Sequence, residues 1–477
     1  MTTVEKAIED IGFGPGQVLT QVLAHGIWMA DGMEIGLVTS LTASIAKDMH
    51  LSHTEMASAT SLVFVGIAAG CGFSAQIGDN FGRRPAVLGS YTGNAIFTMA
   101  CACTERFETL VACRFLQGIC IGLGMPASLA LVSELSPAAW RIPLMAIRGV
   151  MFSVGLAMAA LILALDDPQL QALNWRSDMI LGALPCVLLG IPALGALHES
   201  PVFLAKVQRP TEAKEVIDWL SWMNSSWFTG HRARNVPDNP TACLEPLVPS
   251  GSVTTARTSV RESFSVTIFK GHVLLCTLVL CFAYITLNFV EYGLAYGEPR
   301  ILREAVSNNP MPGAWQLFTK HMGSVPVRIV VVLPAVWLGP KGSMVLGFSF
   351  MSIGLLLFVW AASKSQWTAG TASAYYFGQA LPGVGLIQAW IGAFQLPLDI
   401  YPAELAVTGS GLCIACGRVG SISAPYIFEI VYGRGWQTYW NFMAASSAMA
   451  AVTCYVVLPA SSAGETTEET KDRLHNI

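Results

Sequence analysis

The sequence predicts an all-α membrane protein with twelve transmembrane helices in two pseudo-symmetric six-helix bundles. Three observations predict it. Of the 477 residues, 53% are hydrophobic and only 12% charged, about half the charged share of soluble domains, which leaves too little polar surface to keep the chain dispersed in water. Twelve apolar runs are each long enough to cross a bilayer core, which takes about 20 residues. The runs fall six and six around one polar stretch, 198–270.

Residues 1–17 carry Glu5, Lys6, Glu9 and Asp10 and no apolar run, so they read as a soluble tail and not as a cleaved signal peptide. The first bundle covers 18–197, with spans at 18–46, 56–77, 86–103, 109–131, 142–165 and 178–197. Between the second and third spans lies Gly78-Asp79-Asn80-Phe81-Gly82-Arg83-Arg84-Pro85. Gly82 permits a sharp turn there, Arg83 and Arg84 stay in water at headgroup level, and Asp79 can pair with them or face a neighbouring helix end. Gly66 and Gly70, like Gly118 and Gly122, are four residues apart and read as close helix packing. In the polar stretch, Thr211 to Met223 places Ala213, Val216, Ile217 and Leu220 at helical spacing, whereas about 228–262 reads as a flexible linker. The second bundle covers 271–459, with spans at 272–295, 316–338, 343–362, 369–396, 407–431 and 437–459, and 460–477 is a polar tail.

Several classes are excluded. The net charge is −4 with no strongly basic stretch, which argues against a nucleic-acid partner. Of twelve cysteines only Cys243 lies outside the apolar runs, so the thiols read as small hydrophobes and not as a disulfide framework. Cys413 and Cys416 have redox or metal spacing, yet they sit on a Gly-rich apolar helix where packing explains them. There is no phosphate loop, nucleophile triad or metal cluster, so an enzyme reading has no residues to stand on and neither cofactor nor metal is expected. The expected partners are a small-molecule solute, protons and the lipid bilayer, with the chain acting as a monomer.

The Gly78–Pro85 loop between two spans resembles the signature loop of the major facilitator superfamily of secondary transporters. Ala30-Asp31-Gly32-Met33-Glu34, midway along the first span, resembles the Asp-Gly-x-Asp element of the aromatic-acid/proton symporters and of the synaptic-vesicle-2-like and niacin-transporter-like groups. Arg114 to Gly118, continuing to Gly122 and Gly124, is similar to the fourth-helix Arg motif, and Ser133 to Pro137 with Arg141 resembles the loop that follows it. Trp175-Arg176 precedes the sixth span as in these families. Glu199-Ser200-Pro201-Val202-Phe203-Leu204 resembles the element that opens the central loop in sugar and organic-ion porters. Tyr401 to Glu404, Gly409 to Gly411 and Gly417 to Gly420 with Pro425 resemble their tenth-to-eleventh-helix region. The short first loop, 47–55, is unlike the large folded loop of animal organic-cation transporters. The resemblance implies cytoplasmic tails at 1–17 and 460–477, a cytoplasmic central loop at 198–270, and a gate made by Asp79, Gly82, Arg83, Arg84, Glu134, Arg141, Glu404 and Arg418. The chain departs from the pattern at Asn80, Ala75, Ala406 and the shortened loop Gly339-Pro340-Lys341-Gly342.

A charge at membrane depth costs about 2.5–3.5 kcal/mol on insertion scales and is a functional candidate by default. Asp31 and Glu34 stand at i and i+3 on one helix face. Two carboxylates facing one cavity repel, and such a pair can take and release a proton during alternating access. Arg114 is the cation expected beside them, so Asp31, Glu34 and Arg114 are the candidate coupling group, and a static ion-pair lock explains the same residues. Asn288, Glu291, Arg328, Gln379, Gln388 and Gln395 are candidates for the solute cavity, since polar groups mid-span face protein or water. Arg148, Arg418 and Glu429 complete the intramembrane charges.

Three readings follow. The first is a secondary active transporter of a small organic solute, an organic anion carried by proton symport through alternating access. The second is an uncoupled facilitator or sugar porter, which the Glu199-Ser200-Pro201 element suggests. The third, from another class, is a non-transporting membrane binding protein or receptor of the same fold, which the departures at Asn80, Ala406 and Lys341 suggest. All three place the chain in a membrane as a multi-pass protein, in the plasma membrane or an internal vesicle membrane.

Overall fold

The computed structural model describes residues 3–225, 271–304, 311–364, 368–401 and 406–459. They are almost wholly helical. The first unit holds α1 (Thr3–Ile11), α2 (Pro15–Met49), α3 (His53–Phe81), α4 (Arg83–Ala102), α5 (Phe107–Glu134), α6 (Ala138–Asp166), α7 (Trp175–Gly182), α8 (Leu184–Ala196), α9 (Pro201–Lys206) and α10 (Pro210–Ser225). The second holds α11 (Gly271–Glu304), α13 (Val332–Ala362), α14 (Ala369–Ile400), α15 (Ala406–Tyr432) and α16 (Trp436–Val457). Helix α12 (Gly313–Val330) is divided, with its start up to Met322 grouped with the first unit and the rest with the second.

Among the described residues, eight helices are long and apolar enough to cross a membrane. The other four expected spans correspond to α2, α4, α14 and the α12 region. Their sequences are diluted by polar side chains that the protein buries, as α2 does with Gln17, Gln21, His25, Asp31 and Glu34 and α4 with Ser90, Asn94 and Thr98. The outward faces are apolar, with Ile96, Leu165, Ile191 and Leu194 exposed in the first unit and Ile430, Val452 and Val456 in the second. This inversion of polarity suits a lipid solvent.

Helices pack through glycine at backbone contact. A Cβ on Gly66 would lie 2.2 Å from the Phe115 carbonyl oxygen, and one on Gly118 would lie 2.2 Å from that of Val63. Gly70 and Gly122 repeat the relationship one turn on, with Ile119 and Ile67. The two glycine pairs thus press α3 and α5 together reciprocally, as their spacing predicts. Gly347 and Gly385 do the same for α13 and α14.

Two features differ from the expectation, and a third matches it. Residues 3–11 form a helix whose Val4 and Ile8 pack on Ile217 of α10, because Val4, Ile8 and Ile11 share one face. The sixth span is broken between α7 and α8 at Ala183, two residues before Pro185, which has no N–H to continue the ladder. The expected break at Gly339–Gly342 is present: the range Val332–Ala362 is two helices that meet at Gly339, whose backbone is not helical. Gly339 takes φ 66°, which glycine tolerates, and the next residue is Pro340. The helical spacing read in Thr211–Met223 is realised as α10, whose Ala213, Val216, Ile217 and Leu220 are buried. Asn224, at its end, accepts from the Gly16 N–H (3.1 Å) and donates to Gln17 (3.0 Å), so α10 fastens the start of α2.

Candidate functional site

The first unit encloses a polar node in an otherwise apolar bundle. Helix α2 supplies Asp31 and Glu34, α5 supplies Arg114 and Gln117 one turn apart, and α4 supplies Asn94 and Thr98 one turn apart. All are buried, with Arg114 at 1% and Glu34 at 4% exposure. Arg114 pairs with Glu34 at 2.7 Å, and its Nε donates to the Ala59 carbonyl at 3.0 Å. The second Glu34 oxygen accepts from Gln117 Nε2 at 2.6 Å, and the same amide reaches Thr98 Oγ1 at 2.6 Å and Asn94 Oδ1 at 3.0 Å. Asn94 in turn donates to Cys186 Sγ.

Of the two acidic residues in the first span, Glu34 is the one that pairs with Arg114 at 2.7 Å. Asp31 is 1% exposed, one turn earlier on α2. The partners Gln117, Asn94 and Thr98 went unread as site residues, although the rule applied to amides of the second half, that mid-span polar groups face protein, points to them equally.

The Gly78–Pro85 loop forms a second charged cluster, at the end of the same unit. Gly82 has φ 106°, and a Cβ there would meet Glu199 Oε2 at 2.2 Å. The Glu199 carboxylate accepts from the backbone N–H groups of Arg83 (3.0 Å) and Arg84 (3.1 Å), which open α4, so it occupies the positive end of that helix. Burial pushes the Glu199 carboxyl above its usual range, opposed by the backbone N–H bonds from Ser200, Arg84 and Arg83. Arg83 donates to the Gly78 carbonyl at the end of α3 (2.9 Å), pairs with Glu134 at the end of α5 (3.0 Å), and lies over the Phe203 ring. Arg84 donates to the Leu194 carbonyl at 2.7 Å. The loop therefore ties the ends of α3, α4, α5 and α8 to the Glu199–Leu204 element. The side chains of Asp79 and Arg141, and all of Glu404, lie outside the described residues.

In the second unit, Glu291 accepts from Trp390 Nε1 at 2.9 Å and lies within electrostatic range of half-buried Arg328. Gln379 donates to buried Glu298 at 2.7 Å, and Gln388 to Ser343 at 3.1 Å. Asn288 donates to the Tyr284 carbonyl of its own helix, whereas Gln395 is exposed. Arg418 reaches Tyr292 Oη at 3.5 Å. Glu429 is held by Arg300 at 2.9 Å and by Tyr296 at 2.7 Å. Glu298 and Arg300 were not singled out in the sequence, where they stand beyond the predicted end of the seventh span at 295. The helix runs on to Glu304.

The membrane-spanning helices, with charged groups paired between them, are a setting that suits a membrane transporter. The chain belongs to the major facilitator superfamily, whose family model matches residues 23–425. It is 26% identical over 446 residues to a putative transporter, svop-1, of Caenorhabditis elegans (90% of this chain, 79% of that one). It is 25% identical over 456 residues to the niacin transporter NiaP of Acinetobacter baylyi (92% and 93%). It is 24% identical over 423 residues to the 4-hydroxybenzoate transporter PcaK of Pseudomonas aeruginosa (88% of each). Its fold is similar to that of the xylose transporter XylE from E. coli in an inward-open conformation, with a TM-score of 0.72 at 16% identity, covering 95% of this chain and 98% of that one.

Proposed function

We propose that the protein is a secondary active transporter that carries a small organic anion together with a proton by alternating access. The observation that carries this reading is the enclosed Glu34–Arg114 pair with a second carboxylate, Asp31, one turn away. A buried ion pair gains little over an apolar contact of the same size, but removing one charge and leaving the other enclosed costs about 3–5 kcal/mol. Protonation of Glu34 neutralises one partner, weakens the tie between α2 and α5, and loads one proton. The names of two relatives, transporters of niacin and of 4-hydroxybenzoate, support a planar ring carboxylate as the solute class.

Reconstituted protein tests the reading. Uptake of a ring carboxylate that accelerates under an inward proton gradient supports it. Uptake indifferent to the gradient points to a facilitator, and ligand binding without uptake points to a binding protein. The Gly82 cluster is proposed as the part of the gate supplied by the first half, with Arg83, Arg84, Glu134 and Glu199 as its working residues.

A further inference from the structure

The node around Glu34 continues past Gln117 as a chain of hydrogen-bonding groups that crosses α4 and ends on α8. Gln117 Nε2 stands 2.6 Å from Glu34 Oε2 and 2.6 Å from Thr98 Oγ1. The Thr98 hydroxyl stands 3.3 Å from Asn94 Oδ1, and Asn94 Nδ2 stands 3.2 Å from Cys186 Sγ. A further contact, 3.0 Å from Gln117 Nε2 to Asn94 Oδ1, joins the two amides directly. All of these side chains are buried. Among the described residues Gln117 Oε1 has no hydrogen-bond partner, so no bond at the far end of that amide fixes which way it faces.

With Glu34 ionised, Gln117 donates to Glu34 and Thr98, Thr98 donates to Asn94, and Asn94 donates to Cys186. An ionised carboxylate only accepts, a protonated one also donates, and a neutral amide carries both a donor and an acceptor to meet either. Turned half-way about its terminal bond, Gln117 presents its oxygen to a Glu34 O–H. The spacings suit that second arrangement, since 2.6 Å is short for N–H···O and ordinary for O–H···O. Thr98 then donates to Gln117, Asn94 to Thr98, and the Cys186 thiol, a weak donor as well as a weak acceptor, to Asn94. The 3.0 Å contact makes the two amides turn together, because turning one alone would set oxygen against oxygen or nitrogen against nitrogen. The proton adds to Glu34 from water, none travels along the chain, and the other groups only rotate. The charged and titratable groups about Glu34 are Arg114 of α5, Cys101 of α4, Cys186 of α8 and Asp31 on α2 itself. Of the other helices packed on α2, α6 carries Arg148 over Trp28, α7 carries Asp178, and α3 presents the Ala59 carbonyl to Arg114.

We propose that Gln117 is a positioning residue for proton coupling: it turns with Asn94 when Glu34 takes up a proton and reverses the hydrogen-bond direction from Glu34 to Cys186. This rests on the proton-symport reading above, with Glu34 as the proton carrier. The reversal gives the Glu34 carboxyl a matched partner in both protonation states, so loading the proton strands no enclosed donor or acceptor along the chain. It also carries the state of a carboxyl on the first span to a thiol on the sixth.

Infrared difference spectra of the purified full-length protein between neutral and acid pH test it. A neutral carboxyl and a thiol absorb in separate regions, and the S–H band moves to lower frequency when the thiol donates a hydrogen bond. The Glu34 band is the one missing in Glu34→Gln, and the Cys186 band is the one missing in Cys186→Ala. On acidification the Glu34 band is expected to appear and the Cys186 band to shift down over the same pH range. Gln117→Leu and Thr98→Val are each expected to keep the Glu34 band and lose the Cys186 shift. Size-exclusion profiles establish that the variants are folded, and the wild-type protein against Cys186→Ala carries the test if both chain-breaking variants aggregate. A Glu34 band that appears while the Cys186 band stays still overturns the reversal and leaves the symport reading standing. A Cys186 shift that survives in both Gln117→Leu and Thr98→Val overturns the path through Gln117. The lack of a Glu34 band at every pH at which the protein stays folded overturns both the reversal and Glu34 as the proton carrier.

Discussion

Arg114 and Glu34 form a 2.7 Å ion pair between the first and fourth spans, and the two side chains are among the most enclosed charges in the described residues. Each is satisfied by more than the other. Arg114 also holds the Ala59 carbonyl and Glu34 also holds Gln117. The pair is therefore part of a network.

Glu34→Gln leaves Arg114 charged and enclosed, and Arg114→Gln does the reverse. Each single variant should lose about 3–5 kcal/mol of stability. The double variant should lose markedly less than the sum, because neither charge is then stranded. Thermal unfolding in detergent measures the cycle, and additive losses would show that the two side chains do not depend on each other.

Gly82→Ala should be costly for two reasons. Its φ of 106° is strained for any residue with a Cβ, and that Cβ would stand 2.2 Å from Glu199 Oε2. A loss of about 1–3 kcal/mol is expected. Adding Glu199→Ala should recover only the part due to the clash, which thermal unfolding of the pair of variants separates from the backbone part.

Gly118→Val should prevent normal packing of α3 on α5, since its Cβ would meet the Val63 carbonyl oxygen at 2.2 Å. Gly72→Ala on α3 meets nothing within 4 Å and should be tolerated with little change in melting temperature. Yields of monodisperse protein and melting curves compare them directly.

Asn224→Ala should weaken the hold of α10 on α2 by removing the bonds to Gly16 and Gln17, at a cost of about 1–3 kcal/mol for the groups left without partners. Limited proteolysis should then cut nearer to α10 than in the wild-type protein. An unchanged cleavage pattern would mean that the apolar face of α10, through Val216 and Leu220, holds it alone.

The membrane class and the glycine contacts between α3 and α5 were legible in the sequence because run length and four-residue spacing are local. The α10 helix was legible for the same reason, its apolar residues lying on one face. The choice between Asp31 and Glu34 was not legible. Both lie on one face of one helix, and the choice depends on where Arg114, Gln117 and Asn94 come to rest from two other helices. The role of Glu199 was half legible. Its motif was recognised, but the capping of α4 depends on a chain reversal that no local pattern encodes. The break at Ala183 followed a local signal that was passed over, Pro185 inside an apolar run. The turn at Gly339 was legible because a glycine before a proline is a local signal, and there the backbone leaves the helical region between two helices.

The central claim is tested most directly by uptake of a ring carboxylate into proteoliposomes with the outside acidified relative to the lumen. Wild-type protein and the variants Asp31→Asn, Glu34→Gln and the double variant are compared, and counterflow exchange is measured alongside. The account predicts accumulation above equilibrium by the wild-type protein, its loss in Glu34→Gln with counterflow retained, and a milder defect in Asp31→Asn. Accumulation with the same pH dependence in all four proteins would contradict it and leave the Glu34–Arg114 pair as a structural lock.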